Sequence, residues 1–79
     1  MYYVIEISKQ KDKETESKAI YSYPTRDEAI ATFHQKMGGA MKNENYLTEL
    51  CQVINFKGAV QDTEYWERQV EPIEVTENE

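Results

Sequence analysis

Thr25-Arg26-Asp27-Glu28 opens the one helix that this 79-residue chain predicts, and the rest of the fold is read outward from it. The spacing is that of a capping box, in which the Thr25 side chain accepts from the Glu28 N–H and the Glu28 carboxylate reaches back to the Thr25 N–H. Asp27 adds a second negative charge where the helix dipole is positive. Downstream, Ile30, Phe33, Met37, Ala40 and Met41 recur at helical spacing and form one apolar stripe, which Ala29 widens. Arg26, Gln35, Lys36 and Lys42 fall on the wet side, so the helix is predicted from Arg26 to about Lys42. Gly38-Gly39 interrupts this pattern and costs about 2 kcal/mol relative to two alanines. Either the helix ends there, or it continues and the glycines admit close approach of another backbone or a ligand. The period kept by Ala40 and Met41 favours the second.

Strand-forming runs lie on both sides of the helix. Tyr2 to Ile7 is rich in β-branched and aromatic residues, with Tyr3, Ile5 and Ile7 on one face and Tyr2 and Val4 on the other. Ser8 to Lys18 is a charged connection whose outer parts extend the strands, leaving a solvated tip near Lys11 to Thr15. Ala19 to Tyr23 returns as the second strand, and Pro24 stops it because proline cannot donate to a ladder. After the loop Asn43-Glu44-Asn45, Leu47 to Phe56 reads as the third strand. Leu50, Gln52, Ile54 and Phe56 share one face of it, and Cys51 and Val53 the other. Gly58 supplies the positive φ of a tight turn, and Val60 to about Arg68 forms the fourth strand. These elements give an α+β fold of order ββαββ, a four-stranded antiparallel sheet with one helix packed on one face. Residues 1–70 form a single domain. Residues 71–79 form an acidic C-terminal tail, in which Ile73 and Val75 offer either a short edge strand or disorder.

The sheet geometry carries a further expectation. Four strands at about 4.8 Å make a sheet about 19 Å wide, whereas a helix is only about 10 Å across. Strands one and three nevertheless carry apolar residues on both faces, a pattern that marks burial on both sides. A chain this short has a thin core, and a second copy is the available cover. Disulfides within the chain are excluded because Cys51 is the only cysteine, and His34 is the only histidine, which argues against a zinc centre. The expected partner is therefore the chain itself, at least as a dimer, with Tyr2, Val4, Gly38, Gly39 and Val53 at the interface.

The net charge of −6 sits in residues 60–79, where Arg68 faces Asp62, Glu64, Glu67, Glu71, Glu74, Glu77 and Glu79. Such a surface repels a nucleic-acid backbone, so no direct nucleic-acid binding is expected. It reads as a solubilising tail, or alternatively as a mimic that occupies a basic groove on a partner. No apolar run approaches the about 20 residues needed to span a bilayer. Met1 to Ile5 lacks the basic start of a signal peptide, and a cytoplasmic location is expected.

Little in the chain points to catalysis. Cys51 lies mid-strand among apolar neighbours, where a thiol is ordinarily inert. A Cys51–His34 pair would arise by coincidence of fold alone. No phosphate loop follows Gly38-Gly39, no calcium loop is present, and no cofactor is expected. Binding is better supported: six tyrosines with Trp66 are dense for this length and suit interfaces and base stacking. Arg26 and Arg68 are the only arginines, and Arg26 stands at a helix N-terminus, where free N–H groups favour an anion. Tyr23, Arg26, His34 and Arg68, with Trp66, across a subunit boundary form the candidate site for a nucleotide-like anion.

Tyr2-Tyr3-Val4, Thr25-Arg26-Asp27-Glu28-Ala29 leading to Phe33-His34, Ala40-Met41-Lys42-Asn43 and Tyr65-Trp66-Glu67-Arg68 also carry a resemblance. Over residues 2–70 the chain resembles short proteins of Gram-positive phages and mobile elements. The resemblance implies a phage context, in which small acidic proteins antagonise host defence. Two modes fit it: an oligomeric sponge that sequesters a cyclic nucleotide or ADP-ribose-type signal, and an acidic inhibitor that docks on a defence protein, as anti-CRISPR proteins do. A non-enzymatic, oligomeric sponge is placed ahead of the docking inhibitor because of the aromatic and arginine supply.

Overall fold

The computed structural model describes residues 1–69, which form β1 (Tyr2–Gln10), β2 (Ser17–Tyr23), α1 (Arg26–Lys42), β3 (Tyr46–Asn55) and β4 (Val60–Glu67). The acidic segment 71–79, with the edge strand considered at Ile73 and Val75, lies outside the described residues. The four strands form one antiparallel sheet of order β2-β1-β3-β4, with α1 packed against it. The ββαββ architecture is the one expected.

Local signals place the elements. Thr25 is extended, and its Oγ1 accepts from the Glu28 N–H at 3.2 Å. Glu28 itself stays exposed, adding its charge to the positive helix end. Gly58 has φ +85°, and its N–H donates to the Asn55 carbonyl at 2.9 Å. Asn55 Oδ1 also accepts from the N–H groups of Lys57 and Ala59, so one side chain closes the β3–β4 turn. Phe56, expected on the Leu50 face of the strand, falls in this turn and is exposed.

The helix is unbroken through Gly38-Gly39. A Cβ built at either glycine meets nothing within 4 Å, so nothing among the described residues requires their absence of a side chain. Gly38→Ala and Gly39→Ala are each expected to raise stability by about 0.5–1 kcal/mol, read as a higher denaturation midpoint with an unchanged slope. If the glycines serve close approach of a ligand or a second copy, the same variants stabilise the free chain while weakening that association.

The core lies between α1 and one face of the sheet: Val4, Ala29, Phe33, Met37, Cys51 and Val53 are buried, with Tyr2, Tyr21, Tyr23, Ile30 and Trp66 packed around them. This corrects the expected interface. Val4 and Val53 are fully buried beneath the helix and cannot meet a second copy, and Tyr2 packs beside them. Met41, assigned to the apolar stripe, is exposed, while Ala29 is central to it.

The reason is topological. β2 and β3 both run antiparallel to β1, hence parallel to each other, and α1 links them across β1. Such crossovers are right-handed in nearly all proteins, so chirality rather than hydropathy selects the face that the helix covers. The more aliphatic face is left open. Tyr3, Ile5 and Ile7 on β1 and Leu50 and Ile54 on β3 are half-buried there. Ile20 on β2, Val60 and Tyr65 on β4 complete the face at 70%, 56% and 57% exposure.

Candidate functional site

On the helix side of the sheet, the face that begins with Val4 and Val53 turns polar toward the β1–β2 hairpin. Glu6 and Ser8 follow Val4 on β1, and Glu49 follows Cys51 on β3, all at alternate positions and therefore on the helix face. Lys36 descends onto them from α1, and Tyr21 stands beside them on β2. The Tyr21 hydroxyl donates to Glu6 Oε1 at 3.2 Å, and Lys36 Nζ donates to the Tyr21 hydroxyl at 3.1 Å. Lys36 Nζ also lies 3.6 Å from Glu6 Oε1 and 4.3 Å from the Tyr21 ring centroid. The Lys36 pKa is raised, chiefly by the Tyr21 hydrogen bond, so its ammonium stays charged across the physiological range.

Glu49 is the most constrained member of the cluster. Its side chain is fully buried, Oε2 accepts from Cys51 Sγ at 3.3 Å, and Oε1 has no hydrogen-bond partner among the described residues. Burial, then the adjacent Glu6 carboxylate, push its pKa up to about 8, and Glu49 therefore carries a proton at neutral pH. Burial and Glu49 likewise push the Cys51 thiol well above its ordinary range, which makes it a poor nucleophile. Tyr46, at the edge of the same cluster, has its hydroxyl pKa raised by burial.

Glu6, Ser8, Tyr21, Lys36 and Tyr46 line a groove of about 610 Å³ between α1 and the β1–β2 hairpin. Lys13 joins Lys36 there, Glu6 is the one carboxylate among the described lining residues, and the amides of Gln10, Gln35 and Asn43 lie between them. Lys18 borders the groove from a strand position whose side chain belongs to the open face. Gly39 also lines it, which places one of the two helix glycines beside open space. A groove of this size with hydroxyl, amide and ammonium groups has the dimensions and donors of a small-molecule site. Among the described residues no cluster of three His, Cys, Asp or Glu side chains is placed to hold a metal, and no helix is long and apolar enough to cross a membrane.

The residues proposed from sequence are dispersed within the chain. Arg26 lies at the helix N-terminus, where its Nε donates to Gln61 Oε1 at 3.3 Å. Arg68 lies at the opposite end of α1, about 24 Å away along the axis for a helix of this length. There its guanidinium donates to the carbonyls of Asn43 and Tyr46, both at 2.8 Å, and stacks 4.8 Å from the Trp66 ring. It closes the helix C-terminus and the α1–β3 loop, with its Nε and one terminal nitrogen engaged by those carbonyls. Trp66 and Tyr23 pack on the core. His34 is exposed beside Phe33, while Cys51 is fully buried.

Sequence reading did not single out Glu6, Tyr21, Lys36, Tyr46 or Glu49. Strand parity carried a signal: Glu49 alternates with Cys51 and Val53, and Glu6 with Tyr2 and Val4. An acidic residue on the face that also holds the core is a buried charge that demands a partner. The chain matches no family model, no curated protein and no solved structure.

Proposed function

We propose that the protein is a non-enzymatic binding protein that assembles with copies of itself and holds a small anionic ligand in the groove between α1 and the β1–β2 hairpin. The observation that carries this reading is the meeting of Lys13 and Lys36 with Glu6 as the one carboxylate among the described lining residues, on a chain whose net charge is −6. Lys36 is held charged and aimed by Tyr21. Tyr46 lines the groove where a base or sugar would lie, and the serine hydroxyls and side-chain amides offer it hydrogen bonds. With the resemblance to phage proteins, the ligand class is a nucleotide-derived signal of the cyclic nucleotide or ADP-ribose type. The biological role that follows is sequestration of that signal in the host cytoplasm.

Isothermal titration with a cyclic dinucleotide, a cyclic mononucleotide and ADP-ribose tests this. At least one is expected to bind. Lys36→Met should weaken that binding by about tenfold to hundredfold, the worth of a charge-assisted hydrogen bond. Arg26→Ala should leave it unchanged. Absence of binding by all three, or equal affinity in Lys36→Met, would overturn the assignment.

A second reading rests on β4, where Asp62, Glu64 and Glu67 are all exposed on an edge strand. That acidic edge fits docking onto a basic surface of a host defence protein. Charge reversal at Asp62 and Glu64 would abolish such docking and spare the groove.

A further inference from the structure

We infer that the open face of the sheet is the surface on which two copies of this chain associate, related by a two-fold axis that lies between the sheets and runs parallel to the strands. This deepens the self-association part of the reading above and does not depend on what the groove holds.

The face is graded along the strands. One end carries Tyr3, Ile54 and Val60 in register, and the other carries Lys9, Thr48 and Glu67. A two-fold parallel to the strands lays like on like, apolar end on apolar end. A two-fold across the strands would instead press Tyr3 and Val60 onto Lys9 and Glu67, leaving charges against hydrocarbon.

Across the sheet the same axis sets β2 over the partner's β4, because these are the two edges of the order β2-β1-β3-β4. The most exposed apolar side chains of the face sit on those two edges: Ile20 on β2, and Val60 and Tyr65 on β4. Ile20 shares its row with Ile5, Gln52 and Thr63, and therefore lands on the partner's β4 between Val60 and Tyr65. A depression of about 480 Å³ lies beside Tyr65 in the neighbouring rows, lined by Ile7, Leu50 and Thr48 and, toward the hairpin, by the charged Lys9, Glu14 and Glu16. Lys18, in the next row of β2, comes over the partner's Tyr65–Glu67 stretch with opposite charge.

The area is adequate. A face about 19 Å wide and about 27 Å long removes on the order of 1,000 Å² from water when two copies meet, near the lower bound for a stable interface. Sheets that pack face to face hold their strands within about 30° of parallel, which this axis allows.

The test is a rescue by mixing, read by sedimentation velocity of the full chain. The wild type is expected to be a dimer. Ile20→Glu and Thr63→Lys, each at an exposed position, should weaken self-association at least tenfold and sediment as monomers. Mixed in equal amounts they should recover the dimer, because one contact becomes a Glu–Lys pair and the other keeps its native Ile20 and Thr63. A monomeric wild type, single variants that dimerise like it, or a mixture that stays monomeric would each overturn the assignment. Ligand titration on the same variants separates the two proposals: binding retained by a monomeric variant places the failure of either one without touching the other.

Discussion

Stability is expected to fall between pH 5 and pH 9, and Glu49→Gln to remove most of that fall. In the unfolded chain this carboxyl loses its proton near its ordinary value of 4.5, while in the folded chain it keeps the proton to about 8. Between those values the folded state binds more protons than the unfolded state, so stability declines as pH rises. The contribution is fully present below about pH 4.5, is lost through the window and is level above about pH 8. The loss is on the order of 3 kcal/mol, reduced from the full shift because Glu6 and Glu49 relax together. Glutamine is neutral throughout, its carbonyl can still accept from Cys51, and its amide can donate toward Glu6. Variant and wild type should therefore agree at acid pH and diverge progressively above pH 5, with the variant the more stable. Urea denaturation at steps of one pH unit measures this, and parallel curves would show that Glu49 titrates as it does in water.

Phe33→Ala is expected to destabilise the fold by about 3–4 kcal/mol. Phe33 is the largest fully buried apolar side chain, and it clamps α1 onto Val4, Cys51 and Val53. A chain of this size has a stability of only about 5 kcal/mol, so the variant should be largely unfolded at 37 °C. The loss reaches the groove as well, since α1 carries Lys36 and both rest on the same clamp. Met37→Leu, close in volume at the next turn of the helix, should cost less than about 1.5 kcal/mol. Thermal unfolding by circular dichroism distinguishes the two. A Phe33→Ala transition within a few degrees of wild type would mean that the helix is held by something other than this core.

The elements were legible because their signals are local. Thr25 accepts a hydrogen bond three residues on, Pro24 ends the strand beside it, and Gly58 has the positive φ its turn requires. The face that the helix covers was not legible, because hydropathy favours Ile5, Ile7, Leu50 and Ile54 while the handedness of the β2–α1–β3 crossover selects the other side. That one inversion sent Val4 and Val53 to an interface and hid the polar cluster beneath α1. Lys36 reads as a wet-side residue by helical period, yet its long stem carries the ammonium down to Tyr21 and Glu6. The place of Arg68 in the fold was hidden for the opposite reason. Its partners at Met41, Asn43 and Tyr46 are carbonyl oxygens 22 to 27 positions away, which carry no side-chain signature.

The groove and the open face lie on opposite sides of one sheet. If the two proposals hold, self-association through the open face would leave the groove of each copy accessible, and a dimer would present two equivalent ligand sites. The most direct test is native mass spectrometry of wild type and Lys36→Met after incubation with a small-molecule extract of phage-infected Gram-positive cells. The wild type should retain a few hundred daltons per copy, released on activation, and Lys36→Met should retain none. A wild type that retains nothing, or equal retention by both proteins, would contradict the groove as the binding site.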